Sequence, residues 1–285
     1  MTKRSPMSHY QANPHAKKSL GQHFLSDTFV VDQIIQAVAR NQAETSRLIE
    51  IGPGKGVLSK ELFSLGKPIT LLEIDPRMVD VLKNEVIPFA EVSVQILQED
   101  VLSPEWWSKE QQWADQFAPN SSIELIGNLP YYITSPILFG VLERRSAIER
   151  ATFMIQKEVA DRILAPSGSK TYGILSVQCQ LMASVTHVLD VPPTAFDPPP
   201  NVESSVIQLT FDKPKQPFSD ETLKKVVRTA FQQRRKKLSN ALSGLLDVEQ
   251  RQTITQDLGL SFDQRAEQWT PHDYARLSEW VELHT

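Results

Sequence analysis

The chain is expected to fold as an α/β protein: a mostly parallel sheet with helices on both faces, extended by an antiparallel strand pair and followed by a small all-α domain. Three observations carry this. Between about 47 and 157, short β-rich runs alternate with longer helical ones, the pattern of strands joined by crossover helices. From Ser184 to Phe211 two β-rich runs flank a proline cluster instead of a helix. Beyond Pro217 the pattern is helical to the end.

In chain order, the first 26 residues form a basic arm, with Lys3, Arg4, Lys17 and Lys18 and no carboxylate. Ser26 is expected to cap a helix whose apolar stripe is Val30, Ile34, Ile35 and Val38. Strands are expected at Arg47–Ile51, Ile69–Ile74, Val92–Leu97, Ser122–Ile126 and Ala151–Ile155. Helices are expected between them at Val57–Leu65, Arg77–Val86, Pro104–Phe117 and Pro136–Arg145. The runs SVTHVLDV and SSVIQLTF suit an antiparallel pair joined by the stiff loop Pro192–Pro200. Pro214–Pro217 reads as a linker. Ser219 then resembles a helix cap, with Asp220 and Glu221 in the first turn and Phe218 and Leu223 placed as a hydrophobic staple. The stripe Leu223, Val226, Val227, Ala230 and Phe231 is repeated by Leu238, Ala241, Leu242 and Leu245.

A length of 285 residues suits one large domain and a smaller one. The apolar fraction of 40% and charged fraction of 22% are those of an ordinary soluble protein. No apolar run approaches the roughly 20 residues of a membrane span, and the arm lacks the apolar core of a secretory signal. The single cysteine, Cys179, allows no intrachain disulfide. A cytoplasmic monomer with no membrane partner is expected. The net charge of −4 hides a segregated distribution. Between Lys213 and Leu245 nine Lys or Arg residues face only Asp220 and Glu221, which points to a local polyanion site.

The first strand runs into Glu50-Ile-Gly52-Pro-Gly54-Lys-Gly56. Glycines there let the backbone turn sharply and let a ligand approach without meeting a Cβ. Nicotinamide enzymes share that feature. The following strand ends narrow the choice. Glu73 stands 21 residues after Gly52, where a carboxylate can accept both ribose hydroxyls. Asp100 follows the third strand and can receive a cofactor's adenine amino group, and Asn128 follows the fourth. Taken singly, Glu73 and Asp100 would be solvated turn carboxylates; as a series at four strand ends they point to S-adenosylmethionine. No metal is expected, because His23 has no second His or Cys at ligand spacing.

At Asn128-Leu-Pro-Tyr131 the chain resembles the ribosomal RNA small-subunit adenine N6-dimethyltransferase family. Lys17–Leu25, Glu50–Gly56, Gln156–Glu158, Val191–Phe196 with Pro198–Val202, Phe231–Lys237 and Asp263–Glu267 extend the resemblance over most of the sequence. Leu20, where the family commonly has Phe, and Lys236-Lys237-Leu238 are small departures. The resemblance implies a Rossmann-like class I S-adenosylmethionine methyltransferase sheet and dimethylation of N6 of two adjacent adenosines in 16S RNA, coupled to small-subunit maturation. It divides the chain into the arm with the start of a cofactor lid (1–26), the methyltransferase domain (27–212) and an α-helical RNA-binding domain (213–285). His23, Leu25, Gly52, Gly54, Glu73, Asp100 and Asn128 are the implied cofactor positions, and His23 is a hydrogen-bonding member of the lid.

The chemistry expected of the motif is simple. An adenine amino nitrogen is a poor nucleophile, so alignment and hydrogen-bond acceptors that free its lone pair supply catalysis. Asn128 and a backbone carbonyl of Leu129 or Pro130 are the expected acceptors, with Pro130 stiffening the loop. Tyr131 and Phe196 are the expected two faces of a clamp on the base. Lys17, Lys18, Lys224, Arg228, Arg234, Arg235, Lys236 and Lys237 are expected to hold RNA phosphates, the last four on a helix. Two rival readings are a 23S RNA methyltransferase of antibiotic-resistance type and a non-catalytic assembly factor. The Gly21-Gln-His-Phe-Leu25 form and the helical tail favour the small-subunit branch over the first. The intact Gly52, Glu73, Asp100 and Asn128 oppose the second.

Overall fold

The structure is a computed structural model that describes residues 15–17, 20–40, 45–103, 106–107 and 122–284. Within these, a seven-stranded sheet forms the centre. Its strands are β2 (Thr45–Ile51), β3 (Ile69–Leu72), β4 (Val94–Leu97), β5 (Ser122–Asn128), β6 (Ile148–Gln156), β7 (Ser184–Val191) and β9 (Ser204–Thr210). Their spatial order is β4-β3-β2-β5-β6-β9-β7. The first five are mutually parallel, while β9 runs antiparallel to both β6 and β7. Two short strands, β1 (Phe24–Leu25) and β8 (Phe196–Asp197), pair separately.

The central strands are buried on both faces because helices cover both sides of the sheet, and the charges they carry are paired inside it, Arg150 with Glu124 at 2.9 Å. Leu48, Ile126, Met154 and Val206 point into one core with helix α1 (Thr28–Ala39) and helix α2 (Val57–Phe63). Ile49, Leu125, Phe153 and Ile207 point into the other. That second core holds α4 (Thr134–Glu143), α5 (Lys157–Leu164) and α6 (Ile174–Met182). It continues without a break into the C-terminal helices α7 (Asp220–Gln232), α8 (Leu238–Ala241), α9 (Val248–Leu258) and α10 (Pro271–His284). Arg145 ties the two parts from outside, donating to both carboxylate oxygens of Asp220. At the centre of the sheet Gly127 is obligatory: a Cβ there would lie 2.6 Å from the Ile51 carbonyl oxygen, so β5 could not approach β2.

Several expectations are corrected. The cap of α1 is Asp27, whose carboxylate accepts the Phe29 and Val30 N–H groups, while the Ser26 hydroxyl donates to the Ala195 carbonyl. The helix expected to run from Arg77 to Val86 is α3 (Pro76–Val81), a π-turn at Leu82–Val86 and a 3-10 turn at Ile87–Phe89. Of the helix expected at Pro104–Phe117, only Trp106 and Trp107, helical and buried, fall within the described residues. The basic run Arg234–Lys237 is not on a helix. The apolar stripe of α7 ends at Phe231, and with nothing further to bury the chain turns at Gln233–Lys236, and Lys237 stands in extended backbone just ahead of α8.

Candidate active site

The chain proceeds from β2 to β3 and β4 on one side of the sheet and returns to β5 and β6 on the other. The connections after β2 and β5 therefore diverge, opening a crevice at the C-terminal ends of the strands. There lies a cleft of about 1210 Å³, counted out to its open side. Gly52, Gly54, Glu73, Asp100, Asn128, Leu129, Pro130 and Tyr131 line it, as do His23 and Leu25.

The β2 end is built for close approach. Gly52 adopts φ +66° and donates its N–H to the Leu72 carbonyl at 2.9 Å. A Cβ there would point into open space, with nothing within 4 Å, so the position admits a ligand against bare backbone. Glu73 is 4% exposed. Its Oε2 accepts the Gly54 N–H at 3.0 Å and its Oε1 the Asp75 N–H at 2.8 Å. Burial pushes the Glu73 carboxyl up, opposed by these two N–H groups. Glu50, 2% exposed, is pushed up to about 8 by burial, while the Ser59 hydroxyl donates to it at 2.5 Å. Asp100 is exposed on the cleft wall and accepts the Leu102 N–H at 2.8 Å.

The N-terminal arm crosses the opening. Phe24 and Leu25 pair with Asp197 and Phe196. Nδ1 of His23 hydrogen-bonds the Pro198 carbonyl at 2.8 Å, and its ring stacks on Tyr131 with centroids 5.9 Å apart. Asn128 Nδ2 donates to the His23 carbonyl at 3.0 Å. Since a carbonyl only accepts, that bond fixes the amide orientation and leaves Oδ1 as the acceptor of this cleft-lining residue. Tyr131 is half-buried, its hydroxyl bonded to Ser204 Oγ at 2.7 Å, and burial raises its phenol.

Phe196 is not where the clamp reading put it. It is 4% exposed, packed with Leu25, Val30 and Met154 in the first core, and does not line the cleft. The β1–β8 pairing turns its ring inward. Among the described residues, the basic set is also separate from the cleft lining. Lys17 is exposed and Lys18 lies outside the described residues. Lys224 pairs with Glu143 and Lys237 with Asp263, while Arg234 donates to the Lys170 carbonyl. Arg228, Arg235 and Lys236 are exposed.

Sequence reasoning missed a clasp at the arm. The Gln22 amide donates to Asp75 Oδ2 at 3.0 Å and accepts the Lys17 N–H at 2.8 Å. Asp75 is buried, and hydrogen bonds from Arg77 above all hold its carboxyl below the usual range. Gln22 lies within the arm motif, but its partner is 53 residues away, and no spacing rule links them. Tyr132, 62% exposed at the cleft mouth, was missed as well.

The sequence and the fold are shared with known proteins. The family model described as ribosomal RNA adenine dimethylase matches residues 13–283. The chain belongs to the ribosomal RNA adenine dimethylase family. Among curated members, a protein of Xanthomonas campestris pv. campestris (strain B100) named ribosomal RNA small subunit methyltransferase A is 40% identical over 275 residues, covering 94% of this chain and 97% of the relative. One of the same name from Bacillus mycoides is 38% identical, covering 94% and 92%. The fold is shared with a dimethyladenosine transferase of Plasmodium falciparum, at TM-score 0.70 and 24% identity over 90% of this chain and 96% of that one. It is shared too with the 23S rRNA methyltransferase ErmE, at TM-score 0.66 and 22% identity over 90% and 99%.

Proposed function

We propose that the chain dimethylates N6 of adjacent adenosines in small-subunit ribosomal RNA, with S-adenosylmethionine as methyl donor, in the cytoplasm during subunit maturation. The observation that carries this reading is Asn128, a residue of the cleft lining whose Nδ2 is engaged by the His23 carbonyl, so that its Oδ1 serves as the acceptor. The small-subunit relatives at 37–40% identity favour this RNA over that of the large subunit.

The cleft fits the donor. Gly52 presents bare backbone to open space, Glu73 is a buried carboxylate with capacity beyond its two N–H partners, and Asp100 offers an acceptor for an amino group. Glu73 would hold the ribose hydroxyls, Asp100 the cofactor's adenine amino group, and His23 and Leu25 would cover it. When bound, S-adenosylmethionine supplies an electrophilic methyl group.

The residues of this chain prepare the nucleophile. Asn128 Oδ1 accepts a hydrogen bond from the target amino group and draws its lone pair out of the ring. The Pro130 carbonyl is already taken by the Ile133 N–H at 3.1 Å and the Thr134 hydroxyl at 3.3 Å. That leaves the Leu129 carbonyl as the second acceptor. Two acceptors favour a more tetrahedral nitrogen and strengthen as it forms, which is differential binding of the transition state. The adenine stacks on the face of Tyr131 opposite His23; Phe196 serves by fixing the arm instead. After transfer the nitrogen is acidic and loses its proton to water. Residues 213–285 serve as the RNA-binding domain, with Arg228, Arg235 and Lys236 as its phosphate contacts.

The test is nucleoside analysis of small-subunit RNA after reaction with isotopically labelled S-adenosylmethionine. Label in N6,N6-dimethyladenosine supports the reading. Label confined to another nucleoside, or none transferred, overturns it.

A further inference from the structure

The rim of the cleft is apolar in two places. Ile74 and Leu102, 46% and 37% exposed, follow β3 and β4 beside Glu73 and Asp100, where a cofactor would cover them. Tyr132 stands apart from these, after β5, and at 62% is far more exposed. It differs from its neighbour: Tyr131 is half-buried with its hydroxyl held by Ser204. A large aromatic ring left in water at the mouth of a concave site is a surface suited to a π or apolar partner.

The ring is also held in place. Residues Tyr131–Ile133 form a 3-10 turn closed by the Ile133 N–H to the Pro130 carbonyl at 3.1 Å. One edge of Tyr132 faces the arm so closely that a Cβ added at Gly21 would touch it, at 3.4 Å from Cδ1 and Cε1. Gly21 has φ +58°, a conformation that disfavours any side chain there. A tyrosine has few torsions to freeze, so a ring already positioned loses little entropy on binding.

We propose that Tyr132 is the stacking platform for the nucleotide flanking the target adenosine, so that the cleft grips two successive bases, the target on Tyr131 and its neighbour on Tyr132. The proposal rests on the reading of this cleft as the site of adenosine methylation. Enzymes that modify a base must unstack it from its neighbours, and the base left behind loses a stacking partner. An exposed ring one residue beyond the inner ring replaces that partner. The occupant is a base of single-stranded RNA of any sequence, since every base has a π-face.

Two measurements on wild type, Tyr132→Ala, Tyr132→Phe and Tyr132→Trp test this. The first is steady-state methyl transfer to small-subunit ribosomal RNA; the second is the fluorescence of an RNA oligonucleotide bearing 2-aminopurine beside the target adenosine. For Tyr132→Ala we expect KM for RNA to rise about 5- to 150-fold, the range one base stacked on an aromatic ring supplies. Its kcat should change less than about threefold and the 2-aminopurine response should be lost, while Phe and Trp restore both. A KM for Tyr132→Ala within twofold of wild type, an unchanged fluorescence response, or failure of Phe and Trp to restore binding overturns the proposal. Failure of the underlying reading is separately visible: wild type would then transfer no label to adenosine. Failure of the platform alone leaves wild-type turnover intact and the variants equal to it.

Discussion

Replacing Glu73 by Gln changes one atom of the cofactor site and nothing of its size. The carboxylate accepts two backbone N–H groups, from Gly54 on Oε2 and Asp75 on Oε1. In the amide one of those oxygens becomes an NH₂, so a donor faces a donor. An unsatisfied buried N–H costs about 1–3 kcal/mol, and the residue is 4% exposed, so water offers little relief. The charged acceptor proposed for the ribose is lost as well, a further 1.5–3 kcal/mol or so. Calorimetric titration with S-adenosylhomocysteine should therefore show affinity falling at least 10- to 150-fold. Glu73→Ala, which removes the clash along with the acceptor, should still lose the ribose share. Thermal unfolding separates the loop cost from the ligand cost. If both variants fold and bind within twofold of wild type, Glu73 does not hold the cofactor.

Asn128→Ala should lower single-turnover methyl transfer far more than RNA affinity, with some loss of S-adenosylhomocysteine affinity because the His23 carbonyl loses its donor; transfer at the wild-type rate would refute its role. Glu50 is held near 8 against an ordinary 4.5, so the fold binds this proton more tightly than the unfolded chain. Its stabilising contribution is complete below about pH 4.5 and lost as pH rises through about 8. Glu50→Gln cannot ionise and should flatten stability against pH across that window; an unchanged slope in thermal unfolding would contradict the assignment. Changing Arg234, Arg235, Lys236 and Lys237 together to Gln should reduce the salt slope of RNA binding by roughly 1.4–1.8, about 0.7–0.9 for each of Arg235 and Lys236, since Arg234 is engaged by Lys170 and Lys237 by Asp263. S-adenosylhomocysteine affinity should not move; an unaltered slope would make the turn a merely solvated surface.

The sheet was legible because its central strands are buried on both faces and read as short apolar runs broken by single polar residues, as Thr70 breaks Ile69–Leu72 and Glu124 breaks Ile123–Ile126. The four ligand positions were legible for a related reason: polar residues such as Glu73 and Asn128 stand where those runs stop. Helices α5 and α6 were not read. They begin after Gln156 and Gly173, neither of which caps with a side chain as Ser or Asp would. The β1–β8 pair joins residues some 170 apart through two positions each, far below what periodicity can detect. It is this pair that decides Phe196, an aromatic residue in a proline-rich loop that sequence alone could assign either to the mouth or to the core. The basic run failed similarly: consecutive cations have no period, and only the end of the apolar stripe at Phe231 marks where the helix stops.

The central claim, that this cleft methylates adenosines of small-subunit RNA, is tested most directly by labelled methyl transfer to three substrates side by side: naked small-subunit RNA, immature small subunits and large subunits. The account predicts label in small-subunit material, at about two methyl groups on each modified adenosine, and none in large subunits. Label in large-subunit RNA, or in no RNA while S-adenosylmethionine binds the cleft, would contradict it.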